Sequence, residues 1–209
     1  MPVIALGMNF ARMPHKPVRT AILTQGERWK IKIAAMTTPP LPGDEDARLR
    51  ALGRYGTLET LRGQAFDDLT RLAAFICRTP IALVTLVDST RQWFLSQYGI
   101  NASDTSREVS FCVHALVSPD MLVVPDACAD ARFAANPLVT GDPFVRFYAG
   151  IPLVTPDGHV LGTLCVVDHV PRVLSPAERD ALEALSRMAV AQMERHRLKR
   201  ELHRLKYGG

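Results

Sequence analysis

The stretch FYAGIPLVTPDGHVLGTLCVVD, residues 147–168, constrains the fold more than any other part of the chain. Two apolar, β-branched arms flank Pro156, Asp157 and Gly158, and Gly158 can take the positive φ that a tight turn requires. The segment is therefore a β-hairpin, and the sheet it belongs to is antiparallel. On the second arm, simple alternation sends Val160, Gly162, Leu164 and Val166 one way. Leu161, Thr163, Cys165 and Val167 go the other way, which predicts Cys165 in the core.

A second hairpin lies earlier. IALVTLVD, from Ile81, is too short for a helix and too uniformly apolar for a half-exposed strand, so it reads as a strand buried on both faces. The turn DSTR and the returning strand QWFLSQYG follow, and MLVV adds one more strand at residues 121–124. Upstream, Asp44, Glu45 and Asp46 place negative charge at the start of a short helix that Gly53 and Gly56 end. In the next helix Phe66, Leu69, Leu72, Ala73 and Ile76 recur at helical spacing, with Cys77 beside the stripe and Pro80 as the stop.

The last helix announces its own start. Ser175 can cap it, Pro176 suits the first helical position and Glu178 completes a capping box. Leu182, Leu185 and Ala189 would face the sheet. Ala184, Met188, Ala191, Leu198, Leu202 and Leu205 form a second, heptad-like seam interrupted at Arg195. One domain cannot cover both stripes, so the seam predicts a coiled-coil homodimer.

Helix, hairpin, irregular segment, strand, hairpin and helix together describe an α+β fold: a central antiparallel sheet with terminal helices on one face. Residues 125–146, PDACADARFAANPLVTGDPFVR, have no period and are long for a structureless loop. Phe133, Leu138, Val139 and Phe144 argue that this loop packs down, over a pocket.

Charge is unevenly placed. Residues 1–35 carry Arg12, Lys16, Arg19, Arg28, Lys30 and Lys32 against Glu27 alone, while the remainder holds 19 basic and 20 acidic side chains. A basic arm can bind nucleic acid or anionic lipid. Here Met36 reads as a natural start, so residues 1–42 are predicted to be a poorly ordered extension rather than a nucleic-acid site. No apolar run approaches the roughly 18 residues of a membrane span. Four cysteines without C-x-x-C spacing, and no signal peptide, point to a cytoplasmic setting with free thiols.

The motifs RQWF, TSREVSFCVHAL and the run from VVPDACADARF through LSPAERDAL resemble the GAF sensor domains of bacterial histidine kinases and diguanylate cyclases. The similarity extends from Asp46 to the final helix. It implies a six-stranded antiparallel sheet over 43–190, helices on one face and a loop-covered small-molecule pocket on the other. Residues 191–209 would extend the signalling and dimerisation helix toward an output module of a two-component or similar system. No kinase, cyclase or DNA-binding module follows that helix. Either the chain is a stand-alone GAF protein with a separate partner, or it is cut where the helix would continue.

Cys112 and His114 are the chemically suggestive pair. Two ligands fall short of the four of a structural zinc site or the three of a catalytic one, so no metal is assigned. No oxyanion motif or orienting acid accompanies them, so no catalytic residue is assigned. Many GAF photoreceptors attach bilin through a cysteine followed directly by histidine, whereas valine intervenes here. The Asn-Lys-Phe-Asp-Glu signature of cyclic-nucleotide-binding members is missing as well, and no cofactor is named. The enzymatic alternative is the stand-alone GAF that reduces free methionine-R-sulfoxide. That family places a second cysteine about ten residues earlier, where this chain has Ala102 and Ser103; such chemistry requires a resolving thiol nearby. Cys112 and His114 are predicted to line the pocket floor, with Arg107, Arg132, Arg146 and Tyr148 as further ligand candidates. The three arginines read equally as ties holding the loop to Asp126, Asp130 or Asp142.

Overall fold

A computed structural model describes residues 42–56 and 58–207, so the basic extension other than Pro42 lies outside the described residues. Helices α1 (Glu45–Gly53), α2 (Leu58–Leu61) and α3 (Gln64–Cys77) precede strands β1 (Ile81–Val87), β2 (Arg91–Tyr98) and β3 (Asp104–Ser106). Then come β4 (Leu122–Val124), α4 (Pro137–Thr140), β5 (Phe147–Val154), β6 (Val160–Asp168) and α5 (Pro176–Tyr207). The strands form one antiparallel sheet in the order β3-β2-β1-β6-β5-β4.

The two central strands, β1 and β6, are buried along their whole length, which is why their sequences lack polar alternation. One face of β1, with Ala82, Val84 and Leu86, joins the core made by the helices. The other, with Ile81, Leu83 and Val87, joins a second core under the long loop. Strand β6 departs from simple alternation. Leu161 shares the helix-side core with Leu164 and Val166, whereas Val160 lies on the loop side with Cys165 and Val167. A one-residue register shift between Pro152 and Val154 of β5 accounts for it. Gly162 sits at this irregularity, where a Cβ would lie 2.0 Å from the Thr85 carbonyl oxygen. Only glycine lets β1 and β6 approach there.

Helix α3 stops at Cys77 because Arg78 turns left-handed (φ 50°), before Pro80 is reached. The capping box at α5 is present: Ser175 Oγ accepts from Glu178 N at 3.3 Å and Glu178 Oε2 accepts from Ser175 N at 2.7 Å. Along α5, Leu182, Leu185, Ala189 and Met193 are buried, while Met188, Ala191, Leu198, Leu202 and Leu205 are exposed. Contact with the body continues past residue 190: the Tyr55 hydroxyl donates to Glu194, and the Arg200 side chain lies over Gly56. No helix among the described residues is long and apolar enough to cross a membrane.

Candidate functional site

Cys112 opens a 3-10 turn, Cys112–Ala115, that lies on the loop face of the sheet against β1, β5 and β6. Its sulfur accepts hydrogen bonds from Gln92 Nε2 at 3.0 Å, Thr163 Oγ1 at 3.0 Å and the Tyr148 hydroxyl at 3.2 Å. The Cys165 sulfur is 3.9 Å away. Gln92 is itself fixed by the Ser110 hydroxyl, which donates to its Oε1. Thr85 and Thr163, opposite each other on the central strands, bring their hydroxyls to 3.3 Å. The cluster is thus a buried polar island inside an apolar core, with its donors converging on one sulfur.

That convergence sets the electrostatics. Burial opposes ionisation of Cys112, but hydrogen bonds from Cys165, Thr163, Tyr148 and Thr85 outweigh it and hold the thiol below its ordinary value. Cys165 moves the other way, pushed well up by its hydrogen bond to Cys112 and by its own burial. Burial, and then the neighbouring Cys112 sulfur, raise Tyr148 as well.

The long loop closes over this island. Phe133, fully buried, stacks on Phe111 with ring centroids 4.1 Å apart and planes 7° from parallel. His114 meets Phe133 edge-on at 4.7 Å, and Tyr148 leans on Phe111 at 5.3 Å. Buried Asn136 donates to the Val109 carbonyl at 2.9 Å and caps α4 by accepting from Leu138 N at 2.9 Å. The loop's exit is tied to the sheet where Arg146 N donates to the Asp168 carbonyl at 2.8 Å. Side chains therefore occupy the space over Cys112. Val139 joins Phe133 in this packing, but Phe144 does not: it is half exposed, with φ at 56°.

The GAF domain profile matches residues 62–193, well over half of the chain. The chain belongs to the GAF family. A protein of Pseudomonas aeruginosa named as a cyclic di-GMP phosphodiesterase is 42% identical over 161 residues. The match covers 76% of this chain and 27% of that protein. Among solved structures, the GAF domain of PixJ from Thermosynechococcus elongatus in its blue-light-absorbing form aligns with a TM-score of 0.55 at 16% identity. It covers 78% of this chain and 97% of that one. The GAF domain of an Acinetobacter phosphoenolpyruvate-protein phosphotransferase aligns at 0.53 with 14% identity, over 74% and 96% respectively. At such identities these structures speak for the fold.

Of the six GAF pocket candidates, Cys112, His114 and Tyr148 come together under the loop. Arg132 stands at its rim, with Nη2 on Asp130 Oδ2 at 2.6 Å and its guanidinium 5.1 Å above the Phe133 ring. His114 is lowered to about 4, first by burial and then by the positive charge of Arg132, and is neutral at physiological pH. Arg146 holds the loop through carbonyls rather than acids, donating to Val139 at 2.8 Å and Val145 at 3.0 Å. Arg107 turns away from the cluster and bonds Glu45 Oε1 at 2.6 Å and the Asp88 carbonyl at 2.8 Å. Glu45 also receives Arg48 at 2.7 Å; burial opposes its charge, yet the two arginines prevail and lower it to about 2. Gln92, Thr85 and Thr163 are absent from the sequence-based candidates, although threonines within otherwise apolar strands are the signal that marks two of them.

Proposed function

We propose that this chain is a sensory or regulatory GAF domain. In this reading it responds to a small molecule or another cytoplasmic signal and transmits the response through a dimeric α5 to an output module. That module is of the histidine kinase, diguanylate cyclase or cyclic di-GMP phosphodiesterase kind. The observation that carries this is the exposed stripe of Met188, Leu198, Leu202 and Leu205, which continues along α5 after its buried stripe has ended. Apolar side chains at heptad spacing with nothing over them suit a second copy of the same helix. The relative named as a phosphodiesterase supports an output module, since the match takes up only 27% of its length.

Sedimentation of the intact chain beside a Leu198→Glu/Leu202→Glu variant tests the dimer. Both side chains are more than half exposed, so the substitutions spare the core. The expected result is a dimer for the parent and a monomer for the variant. A monomeric parent at about 50 µM, a weak demand for specific association, would remove the transmission reading. The alternative, reduction of free methionine-R-sulfoxide, is favoured by the proximity of Cys165 to Cys112. The burial of Cys112 under a packed loop weighs against it, and incubation with free methionine-R-sulfoxide and a thiol reductant is expected to give no turnover.

A further inference from the structure

Among the four cysteines, two are partners and two are not. Cys77 lies in the helix-side core and Cys128 is exposed on the loop. Cys112 and Cys165, by contrast, touch at 3.9 Å, both are buried, and one belongs to an irregular turn while the other is fixed in the central strand β6. Only the turn has to move for the sulfurs to close to the roughly 2.05 Å of a disulfide. Three donors, from Gln92, Thr163 and Tyr148, aim at the Cys112 sulfur, an arrangement that holds a thiolate better than a thiol.

We propose that Cys112 and Cys165 form a peroxide-oxidisable dithiol, with Cys112 as the attacking and Cys165 as the resolving sulfur, so that the loop face of this domain is a site of reversible two-electron oxidation. The Cys112 thiolate attacks one peroxide oxygen and the O–O bond breaks. The departing hydroxide takes up the proton that Cys112 released and leaves as water, with Cys112 now a sulfenic acid. The Cys165 sulfur then attacks the Cys112 sulfur, the S–O bond breaks, and a second water leaves with the Cys165 proton. Two thiols and one hydrogen peroxide thus become one disulfide and two waters, and a thiol reductant restores the pair. The disulfide draws the Cys112–Ala115 turn toward β6 and replaces the thiolate acceptor shared by Gln92, Thr163 and Tyr148 with a weaker, displaced one. Phe111, next in the chain to Cys112, carries that movement to Phe133 and hence to the loop. This site goes beyond the dimer-mediated reading and does not depend on it.

The intact chain is treated with hydrogen peroxide in native buffer, then denatured, alkylated, digested and mapped by mass spectrometry. The expected product is a Cys112–Cys165 cross-linked peptide lighter by two hydrogens and abolished by dithiothreitol. Phe133→Ala, which opens the cover over Cys112, should speed its formation severalfold. In Cys165→Ser, dimedone should trap Cys112 as the sulfenic acid. Full alkylation of Cys112 and Cys165 with oxidation confined to Cys128 would overturn the proposal. So would Cys112 advancing to sulfinic acid without cross-linking in the parent chain. The parent map decides the matter alone if Cys165→Ser does not fold, and a monomer in the sedimentation experiment leaves it untouched.

Discussion

Phe133→Ala removes the side chain on which the closed loop depends. The ring is fully buried between Phe111 at 4.1 Å and His114 at 4.7 Å, with Arg132 above it. Truncating a buried phenylalanine costs about 3–5 kcal/mol, the spread reflecting how far the surroundings collapse. Collapse is restricted here, because Asn136, Arg146 and the backbone bond from Val145 N to the Leu138 carbonyl hold the loop on both sides of the gap. Taking about 4 kcal/mol and a urea slope of about 2 kcal/mol/M, the midpoint should fall by about 2 M. Hydrogen exchange should rise first over residues 126–146, since opening there need not disturb the helix-side core. The void should also accept a ring from solution: indole or benzene at ten times its dissociation constant would return about 1.4 kcal/mol. A midpoint shift below about 0.5 M with unchanged loop exchange would refute the idea that this stack seals the site.

Two further outcomes are expected. His114 is lowered to about 4 from an ordinary 6.5, so its contribution is complete above pH 6.5 and is lost as pH falls toward 4. His114→Gln should flatten urea stability across that window by about 1–2 kcal/mol, the full shift being reduced for a ring only partly buried, and equal slopes for the two proteins would exclude His114 as the group responsible. At Gly162 a methyl group meets the Thr85 carbonyl oxygen at 2.0 Å, whereas at Gly158 it meets nothing and only the positive φ is strained. Gly162→Ala should therefore cost more than about 3 kcal/mol and Gly158→Ala about 1–2 by thermal denaturation, and similar losses would contradict the close approach of β1 and β6.

What was legible in the sequence is what short-range chemistry determines. The turn at Pro156–Gly158, the uninterrupted apolar run of β1 and the Ser175–Glu178 cap all rest on neighbours within a few residues, and each is present. The irregularity in β6 was not legible, because Gly162 is required by the backbone of β1 and reads in isolation as one member of an alternating row. The same holds for the site. Cys112 and Tyr148 could be singled out, but the donor that completes the cluster, Thr163, lies 51 residues from Cys112, and Arg107 finds Glu45 across 62. An arginine's partner at that range is set by the packing of α1 against the turn after β1. Charge patterning along the chain pointed instead to acids in the loop, and only Arg132 takes one of those, Asp130. Strand β3, three residues long, is too short for any periodicity to register.

The two faces of the sheet differ in a way that bears on signalling. The helix face is mostly aliphatic and aromatic, with isolated buried hydroxyls at Thr70, Ser96 and Ser186, and its apolar contacts tolerate small shifts at modest cost. The loop face buries hydroxyls, an amide and two sulfurs that are satisfied in one arrangement, and losing a partner there costs about 1–3 kcal/mol. A change at Cys112 therefore reaches Gln92, Tyr148 and Thr163 directly, and Thr163 is the one on a central strand. That residue pairs with Thr85 on one side and with Pro152 on the other, beside the irregular stretch of β5 and β6. The Pro152 carbonyl in turn accepts from Ser186 Oγ of α5 at 3.0 Å, in the segment where Leu182, Leu185 and Ala189 seat the helix. One continuous run of contacts thus joins the thiol pair to the helix proposed to carry the dimer. A route of this kind needs an element with two states at its head. The reduced and cross-linked forms of Cys112 and Cys165 would supply them, because a covalent bond between the sulfurs weakens and displaces the acceptor that Thr163 uses in the reduced form.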